Sequence, residues 1–446
     1  MGCHFSGNPR RAESVWDTRE PGSCVIEVVR ASNLPNMDIV SLTDCYVVFS
    51  FREVREVGGS SKVGANALGG VSYRTLTCNN NLNPVFGTYK EFPYIPKSTD
   101  TLLLELYDED VPGLPGESIG SATVTYSALA STKGEIDLNV KLKTSHRNKT
   151  DRLETTITVR KVFAGTLESD EKEIFVVRHG ESKWNEAQHD KDVSGLVKQF
   201  DHELTSKGLD QAAKFNAKWK QELDAVKDND DLACFLSATK IFSSPLTRAI
   251  ETALVTCEGH SSLQQNGLIL LRNLREQKNI GSFDTVGKFH GDDIEVHVRK
   301  VFSDEFGGDD GEGERVNSLM APIDYNDATG QWWTRLEVAE RKKDVINRWD
   351  HLFNRLRYGY VNDKVIILVG HSHFFRAMCQ EYISEGYRNE EPKWTAELER
   401  GKLDNASCMR CTIKWEKRGT KSFENLNTPP VITKCKLVFG SKIVHG

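Results

Sequence analysis

Hydrophobic and polar positions follow two different patterns in the two parts of the chain. Up to about residue 163, short runs rich in β-branched and aromatic residues alternate with clusters of Gly, Asn and Pro. The runs predict strands and the clusters predict turns. Strands are predicted at residues 24–29, 45–51, 73–77, 101–107 and 155–163, with turn clusters at 58–70, 79–84 and 112–116. Many short strands of this kind predict an all-β sandwich.

Beyond a polar linker at residues 164–172, strand and helix patterns alternate. Leu209, Ala212, Phe215 and Trp219 recur at helical spacing in a helix predicted for residues 206–226. Further strands are predicted at 173–177, 240–243 and 364–369, and further helices at 247–256 and 336–356. This alternation predicts a three-layer α/β fold, in which ligands bind at the carboxyl ends of strands.

Length and composition limit the classes of protein. With 446 residues, two domains are expected, and we place them at 21–165 and 166–446, with an insert at about 289–333. A net charge of −6 argues against nucleic acid as a partner. The apolar runs are too short to cross a bilayer. The ten cysteines have no framework spacing, which predicts an intracellular protein with reduced thiols.

The first residues read Met-Gly-Cys-His-Phe-Ser, a pattern for N-myristoylation on Gly2. Cys3 could carry a second acyl chain, which would make membrane attachment stable. Arg10 and Arg11 follow, and basic residues favour an anionic membrane surface. We therefore predict an acylated leader at residues 1–20 and a location on the cytoplasmic face of a membrane, specifically the plasma membrane. The alternative is an ordinary flexible N-terminus.

A second set of residues suggests phosphoryl transfer. This chemistry needs cations around a dianionic group, and the planar guanidinium of arginine meets phosphate oxygens two at a time. A neutral imidazole can attack phosphorus, and a carboxylic acid can protonate the leaving oxygen. The chain offers a side chain for each of these roles, so we expect catalysis without a cofactor or metal. The candidates are Arg178, His179, Asn185, Arg248, Glu276 and His371.

The segments around these residues resemble the histidine phosphatase superfamily, branch one, which includes the phosphoglycerate mutases. The resemblance covers most of residues 173–415 and rests on VVRHGESKWN, LTSKGLDQA, IFSSPLTRAIETA, LREQKNIGSFD and ILVGHSHFFRAM, in the family's order. It implies that His179 is the nucleophile and Glu276 the proton donor. It also implies a phosphate pocket formed by the remaining members of the set, Arg178, Asn185, Arg248 and His371.

Three functions stay open at this stage. The segments after the nucleophile and after Glu276 do not resemble those of mutases, which favours a phosphatase acting on a phosphoprotein, an inositol lipid or a small ester. A phosphoglycerate mutase-type transferase is the first alternative. A calcium-regulated membrane adaptor without activity is the second, although both arginines and both histidines of the set are present.

Acidic residues cluster in two loops of the β-rich part. Calcium binds six to eight oxygens, several of them from carboxylates, and carboxylates from the two loops would converge at one end of a sandwich. The candidates are Asp38, Asp44, Asp108, Asp110 and Glu117. Residues 24–163 resemble a C2 domain, which implies binding of Ca²⁺ and of anionic membrane lipid. Because Glu117 stands where the family usually has Asp, a calcium-independent sandwich is the alternative.

Overall fold

The computed structural model describes residues 22–38, 41–57, 60–110, 114–143, 154–168, 170–190, 200–223, 229–279, 283–306, 312–333, 339–416 and 429–445. Gly2 and Cys3 therefore lie outside the described residues. The chain divides into two compact units, the first comprising residues up to Glu168 with His351–Tyr360, and the second most of the remainder. In the part of the chain described, no helix has the length and apolar character to cross a membrane.

The first unit is a β-sandwich. Its two sheets have strand orders β5-β1-β10-β8 and β3-β2-β6-β7-β9, with β4 paired to β2. Its strands are β1 (Ser23–Ser32), β2 (Cys45–Val57), β3 (Ser60–Ala67), β4 (Tyr73–Arg74), β5 (Val85–Phe92), β6 (Thr101–Asp108), β7 (Glu117–Thr125), β8 (Ile136–Asn139), β9 (Lys141–Leu142) and β10 (Thr156–Gly165); the α-helix described between residues 22 and 168 is α1 (Tyr126–Ser131).

Alternation along β6 explains how these strands build a core. Leu102, Leu104 and Leu106 are fully buried, because successive side chains of a strand point to opposite faces. Five predicted strands are present, but one prediction was wrong: the cluster expected as a turn at 58–70 contains β3. Its small and polar residues lack the usual β-branched pattern, and its strand character comes from antiparallel pairing with β2.

The second unit is built on a mixed seven-stranded sheet of order β14-β13-β12-β15-β11-β17-β18. The five strands from β14 to β11 run parallel, whereas β17 and β18 pair antiparallel. The strands are β11 (Asp170–Arg178), β12 (Lys240–Ser243), β13 (Leu268–Leu270), β14 (Ile323–Asp324), β15 (Val365–Gly370), β17 (Cys408–Trp415) and β18 (Val431–Val438); β16 (Lys402–Leu403) pairs separately with β19 (Ile443–Val444).

Helices complete the α/β architecture. They are α2 (Lys183–His189), α3 (Ser206–Gln221), α4 (Asp230–Leu236), α5 (Thr247–Thr256), α6 (Ser261–Asn266), α7 (Asp293–Phe306), α8 (Glu312–Leu319), α9 (Lys342–Asn354), α10 (Ser372–Tyr382), α11 (Glu385–Glu390) and α12 (Pro392–Arg400). Every residue of α5 is buried, and α5 packs against β12 and β15. Thr205 caps α3 by accepting a hydrogen bond from the backbone N–H of Gly208.

The segment expected as an insert, about 289–333, is an integral part of this unit. It contains α7 and α8 and supplies the edge strand β14. Trp332 is buried, and its indole N–H donates to the carbonyl of Phe289 over 2.9 Å. The pair Trp332 and Trp333 packs closely over Gly287, where any Cβ would collide with both rings. Both tryptophans therefore belong to the packing of this unit.

Candidate active site and candidate calcium site

Two neighbouring parallel strands end at the same edge of the sheet. Arg178, the last residue of β11, is paired with Gly370, the last residue of β15. His179 and His371 follow directly, and the backbone N–H of His179 donates to the carbonyl of Gly370 over 3.0 Å. The strand pairing therefore brings two histidines together that lie far apart in the sequence.

The imidazole of His179 is held in one tautomer. Its Nδ1 lies 2.6 Å from the carbonyl oxygen of Gly180, so Nδ1 must carry the proton and donate it. The lone pair is then on Nε2. Burial, followed by the charges of Arg248 and Arg178, holds the pKa of His179 well below its usual value. The ring is therefore neutral near pH 7, the form that can act as a nucleophile.

His371 lies beside it, with the two ring centroids 5.1 Å apart. Nε2 of His371 is 2.9 Å from the hydroxyl oxygen of Ser244, the residue that follows β12. The pKa of His371 also lies well below its usual value. Burial is the largest cause, and the charge of Arg248 is the next. Three adjacent parallel strands thus contribute to one site.

Both arginines of the predicted set lie at this edge; Arg248 is buried and Arg178 is partly buried. Arg248, in the first turn of α5, donates from Nη1 to the carbonyl of Asp284 over 2.8 Å. Arg178 donates from Nη1 to the carbonyl of Leu403 over 2.7 Å, and its buried Nε has no hydrogen-bond partner among the described residues. Burial lowers the pKa of Arg178, opposed by the charge of Glu276. Guanidinium groups of this kind are well suited to bind a dianion.

The carboxylate of Glu276 contacts the first turn of α10. Oε1 accepts the backbone N–H of Gln277 at 2.8 Å and of Phe374 at 3.1 Å. Oε2 lies 3.4 Å from the backbone nitrogen and 3.3 Å from Nδ1 of His373. Burial alone would raise the pKa of Glu276, but the His373 contacts, the backbone donors and Arg248 outweigh it, so the pKa lies below its usual value.

Asn185 belongs to a capping box at the start of α2. Its Oδ1 accepts hydrogen bonds from the backbone N–H and the hydroxyl of Ser182, and the Ser182 hydroxyl caps the helix in return. The loop before it is held by Gly180, whose N–H donates to the hydroxyl of Thr252 in α5. A Cβ on Gly180 would lie 2.5 Å from the carbonyl oxygen of Gly208. The nucleophile loop and α3 therefore require glycine at their closest approach.

Sequence reasoning missed several groups around Arg248. Asp201 is buried and accepts the backbone N–H of Thr247 over 2.8 Å, and burial raises its pKa to about 6. The adjacent His202 is 1% exposed, and its ring lies 5.3 Å from that of Trp184. Asp284 ends the quoted LREQKNIGSFD segment, but its contact with Arg248 is formed only by the fold. The rings of Phe200 and Phe283, each preceding one of these aspartates, lie 5.7 Å apart.

In the first unit, three of the five candidate calcium ligands converge. Carboxylate oxygens of Asp38, Asp108 and Asp110 lie within 4.8 Å of one another. Asp44 is buried beside them, since its backbone N–H donates to Asp108 over 2.7 Å and its own carboxylate accepts the N–H of Asn80. Burial raises the pKa of Asp108 to about 6. The backbone hydrogen bond from Asp44 opposes this rise, and the negative charges of Asp38 and Asp110 add to it.

Glu117, unlike Asp44, is not buried beside the cluster. It is exposed and pairs with Asp108 across β6 and β7, but its carboxylate is outside the three-residue group. Oxygen ligands of this kind are what Ca²⁺ prefers, and the concentrated negative charge would be neutralised by such a cation.

Comparison with known proteins identifies a family for each part of the chain. The model of the C2 domain family matches residues 22–142, and that of the histidine phosphatase superfamily (branch 1) matches residues 174–320. The chain carries a C2 domain followed by a histidine phosphatase domain. This supports an enzyme of the phosphatase or mutase type, joined to a module of a calcium- and lipid-binding family.

Two curated relatives from Arabidopsis thaliana match a minor part of the chain. A calcium-dependent lipid-binding protein is 29% identical over 125 residues, which are 28% of this chain and 21% of that protein. Synaptotagmin-5 is 30% identical over 89 residues, which are 20% of this chain and 13% of that protein. The chain therefore spans about a fifth or less of the length of either relative.

Two solved structures are similar to separate parts of the chain. A C2 domain of plant extended synaptotagmin 1 has 21% identity and a TM-score of 0.23, covering 32% of this chain and 96% of that one. A mycobacterial glucosyl-3-phosphoglycerate phosphatase has 18% identity and a TM-score of 0.29, covering 54% of this chain and 92% of that one.

Proposed function

We propose that the protein is a phosphatase that hydrolyses phosphate monoesters through a phosphohistidine on His179, at a membrane surface. The observation that carries this proposal is the buried, neutral imidazole of His179, whose Nδ1 donates to a carbonyl, with the guanidinium groups of Arg248 and Arg178 nearby. A nucleophile, its orienting group and a cationic phosphate site are the parts that covalent phosphoryl transfer needs.

The reaction proceeds in two balanced steps. Nε2 of His179 attacks phosphorus while the ester P–O bond breaks, and a carboxyl group gives its proton to the leaving oxygen. Water then attacks the phosphohistidine, the P–N bond breaks, and the same carboxylate takes the water's proton. Arg178 and Arg248 balance the charge of the transferred group, and His371 with Asn185 completes the phosphate contacts.

Phosphate release from p-nitrophenyl phosphate by the full-length protein tests this chemistry. We expect turnover in the wild type, and an acid-labile, base-stable phosphoenzyme after rapid quenching of a ³²P-labelled substrate. His179→Ala should abolish both, whereas His290→Ala, at an exposed histidine of the same domain, should change neither. Turnover that survives His179→Ala would disprove the mechanism. Phosphoglycerate isomerisation without phosphate release would instead indicate the mutase.

The C2 domain supplies the membrane part of the proposal. Asp38, Asp108 and Asp110 would hold Ca²⁺, with Asp44 and Glu117 as adjacent carboxylates, and the bound cation would attract anionic lipid. Two apolar side chains in the same loops support contact with a bilayer: Leu42 is 41% exposed and Leu114 is 59% exposed. The similarity to a calcium-dependent lipid-binding protein of Arabidopsis thaliana agrees with this role.

Sedimentation with vesicles of phosphatidylserine and phosphatidylcholine tests the membrane step. We expect the unacylated protein to sediment in calcium and to stay in the supernatant with chelator, and Asp110→Asn to lose the calcium response. Sedimentation that ignores calcium would favour the calcium-independent sandwich. Acylation at Gly2 and Cys3 would add a permanent anchor at the cytoplasmic face of the plasma membrane, and Gly2→Ala should release the protein to the soluble fraction of cells.

A further inference from the structure

The segment that carries Glu276 is held by one buried arginine of α9. The guanidinium of Arg348 donates from Nη1 to the backbone carbonyl of Asn273 over 2.9 Å and to that of Arg275 over 2.8 Å. Both carbonyls lie just before Glu276 in the chain. The side chain of Arg348 is 2% exposed, and hydrogen bonds in a buried environment are electrostatically stronger than in water. Arg348 therefore fixes the backbone on one side of Glu276.

Glu340 fixes the backbone on the other side of Glu276. Its Oε2 accepts the backbone N–H of Lys278 over 3.1 Å, and its own backbone N–H donates to the carbonyl of Lys278 over 2.9 Å. The same carboxylate pairs with two guanidinium groups, since Oε2 accepts from Arg348 over 2.9 Å and Oε1 from Arg275 over 2.8 Å. Burial acts to raise the pKa of Glu340, but the charges of Arg348 and Arg275 outweigh it, so the pKa lies below its usual value. The carboxylate is therefore ionised and joins both arginines to the segment.

The guanidinium of Arg348 also contacts the helix that binds the carboxylate of Glu276. Cζ of Arg348 lies 4.5 Å from the ring centroid of Phe374, and the backbone N–H of Phe374 donates to Oε1 of Glu276 over 3.1 Å. One planar group thus meets two carbonyls, a carboxylate and an aromatic ring. The fixed fork of a guanidinium serves all four partners at once, whereas an ammonium or an apolar side chain does not. Such an arrangement determines where the backbone segment lies, in addition to burying it.

We propose that Arg348 and Glu340 are positioning residues of the active site, which hold Glu276 in place for proton transfer to the leaving oxygen. The proposal rests on the phosphohistidine chemistry proposed above, with Glu276 as the carboxyl group of both steps. Glu276 gives its proton as the ester bond breaks and takes a proton from water as the P–N bond breaks. Arg348 and Glu340 act through the backbone of residues 273–278 and take no part in the bond changes. A displacement of about 1 Å at a reacting group lowers a rate by about 10²-fold.

The test compares two aromatic substrates that differ in the leaving group. Nitrophenolate leaves p-nitrophenyl phosphate without protonation, whereas phenolate leaving from phenyl phosphate needs an acid. The quantity measured is kcat/KM of the full-length protein, which reports the steps up to cleavage of the ester bond. We expect Arg348→Met and Glu340→Gln each to lower kcat/KM for phenyl phosphate by about 10- to 10²-fold, and for p-nitrophenyl phosphate by about threefold or less.

Further variants separate positioning from other effects. Arg348→Met removes a positive charge and Glu340→Gln removes a negative one, so a selective loss shared by both cannot come from the electrostatic field of either group. Glu276→Gln should show the same selectivity, and adding Arg348→Met to it should cause little further loss on phenyl phosphate, because both changes act through one carboxyl group. Arg388→Met, at a partly exposed arginine of the same domain that pairs with Glu399, should leave both reactions unchanged.

Several results would overturn the assignment. Equal losses on both substrates, or no loss on either, in Arg348→Met and Glu340→Gln would exclude a positioning role. A full further loss on phenyl phosphate in the double variant would show that Arg348 does not act through Glu276, and equal losses in Glu276→Gln would remove the acid that the proposal needs. A wild type that hydrolyses neither substrate would refute the proposed phosphatase instead. If Arg348→Met does not unfold cooperatively on heating, Arg348→Lys takes its place: a smaller loss of the same selectivity is expected, and equal losses on both substrates count against the proposal.

Discussion

The rings of His179 and His371 lie 5.1 Å apart, at the carboxyl ends of two strands that pair in parallel. Both are buried and neutral, but their contacts differ, since His179 donates to a carbonyl and His371 meets the hydroxyl of Ser244. One ring is thereby oriented with a lone pair for attack. In the proposed mechanism, the other donates a hydrogen bond to a phosphoryl oxygen.

The two histidines should therefore differ in their mutational effects. His179→Ala removes the nucleophile, and we expect phosphate release to fall by at least about 10⁴-fold. His371→Ala removes a stabilising donor, and a fall of about 10²- to 10³-fold is expected. Steady-state assays with p-nitrophenyl phosphate measure both, and phosphoenzyme trapping distinguishes them. A trapped phosphoenzyme should persist only in His371→Ala; its absence there, or its presence in His179→Ala, would reverse the two roles.

The backbone segments at Gly180 and Gly208 lie so close together that a side chain at Gly208 should reduce both stability and activity. A Cβ at residue 208 would collide with the carbonyl oxygen of Glu181, in the nucleophile loop. We expect Gly208→Ala to destabilise the domain by about 1–3 kcal/mol and to reduce turnover, despite the better helix propensity of alanine. Gly386→Ala is the matched control, because this exposed helical glycine has open space around its Cβ position. Thermal unfolding and turnover of both variants check the prediction, which unchanged behaviour of Gly208→Ala would contradict.

The raised pKa of Asp108 predicts that protons compete with calcium for binding to the C2 domain. Burial raises the pKa of this carboxyl to about 6 in the calcium-free protein, and Ca²⁺ requires the ionised form. Calcium-dependent vesicle binding should weaken as the pH falls through about 6. An assay across the pH range at fixed calcium, with the calcium-free baseline subtracted, measures this. A response that stays level to about pH 5 would exclude Asp108 as a ligand.

The raised pKa of Asp108 also determines whether the calcium-free C2 domain becomes more or less stable as the pH falls. The folded pKa lies above the unfolded value, so the folded state binds more protons, and the calcium-free C2 domain should gain stability as the pH falls towards about 4. Asp108→Asn should raise its unfolding temperature in chelator by a few degrees, about 2–8 °C, and abolish the increase caused by calcium. Glu154→Gln, at an exposed carboxylate of the same domain, should do neither. A lower unfolding temperature of Asp108→Asn in chelator would contradict this account.

Phe200 and Phe283, which precede Asp201 and Asp284 in the chain, are predicted to contribute to substrate binding. Phe200 is 37% exposed and its ring lies 5.7 Å from that of Phe283, next to two aspartates that interact with the guanidinium. We expect Phe283→Ala to raise KM for phenyl phosphate about tenfold while altering that for β-glycerophosphate little, because an aromatic contact is lost. Leu223→Ala, at an exposed apolar residue of the same domain, is the control. Equal changes for both esters would argue against this contact.

Sequence patterns predicted most of the architecture because burial in this chain follows local periodicity. The helix predicted at 247–256 and the strand at 240–243 have the observed bounds, since both are apolar and clearly delimited. β3 was missed because its small residues form a strand only through pairing with β2. The interaction of Asp201 and Asp284 with Arg248, and the burial of His202, were not predicted, because they arise from contacts between distant segments.

The connection from His371 to Ser244 joins positions 127 residues apart in the chain. Strand β15, which brings His371 to the sheet edge, is also the late-synthesised centre between β12 and β11. A chain still emerging from the ribosome, or one opened by partial unfolding, therefore lacks the strand pairing that places His371 beside His179. The proposed phosphatase activity should thus be confined to molecules that have completed the sheet, and turnover can serve as a sensitive reporter of correct folding.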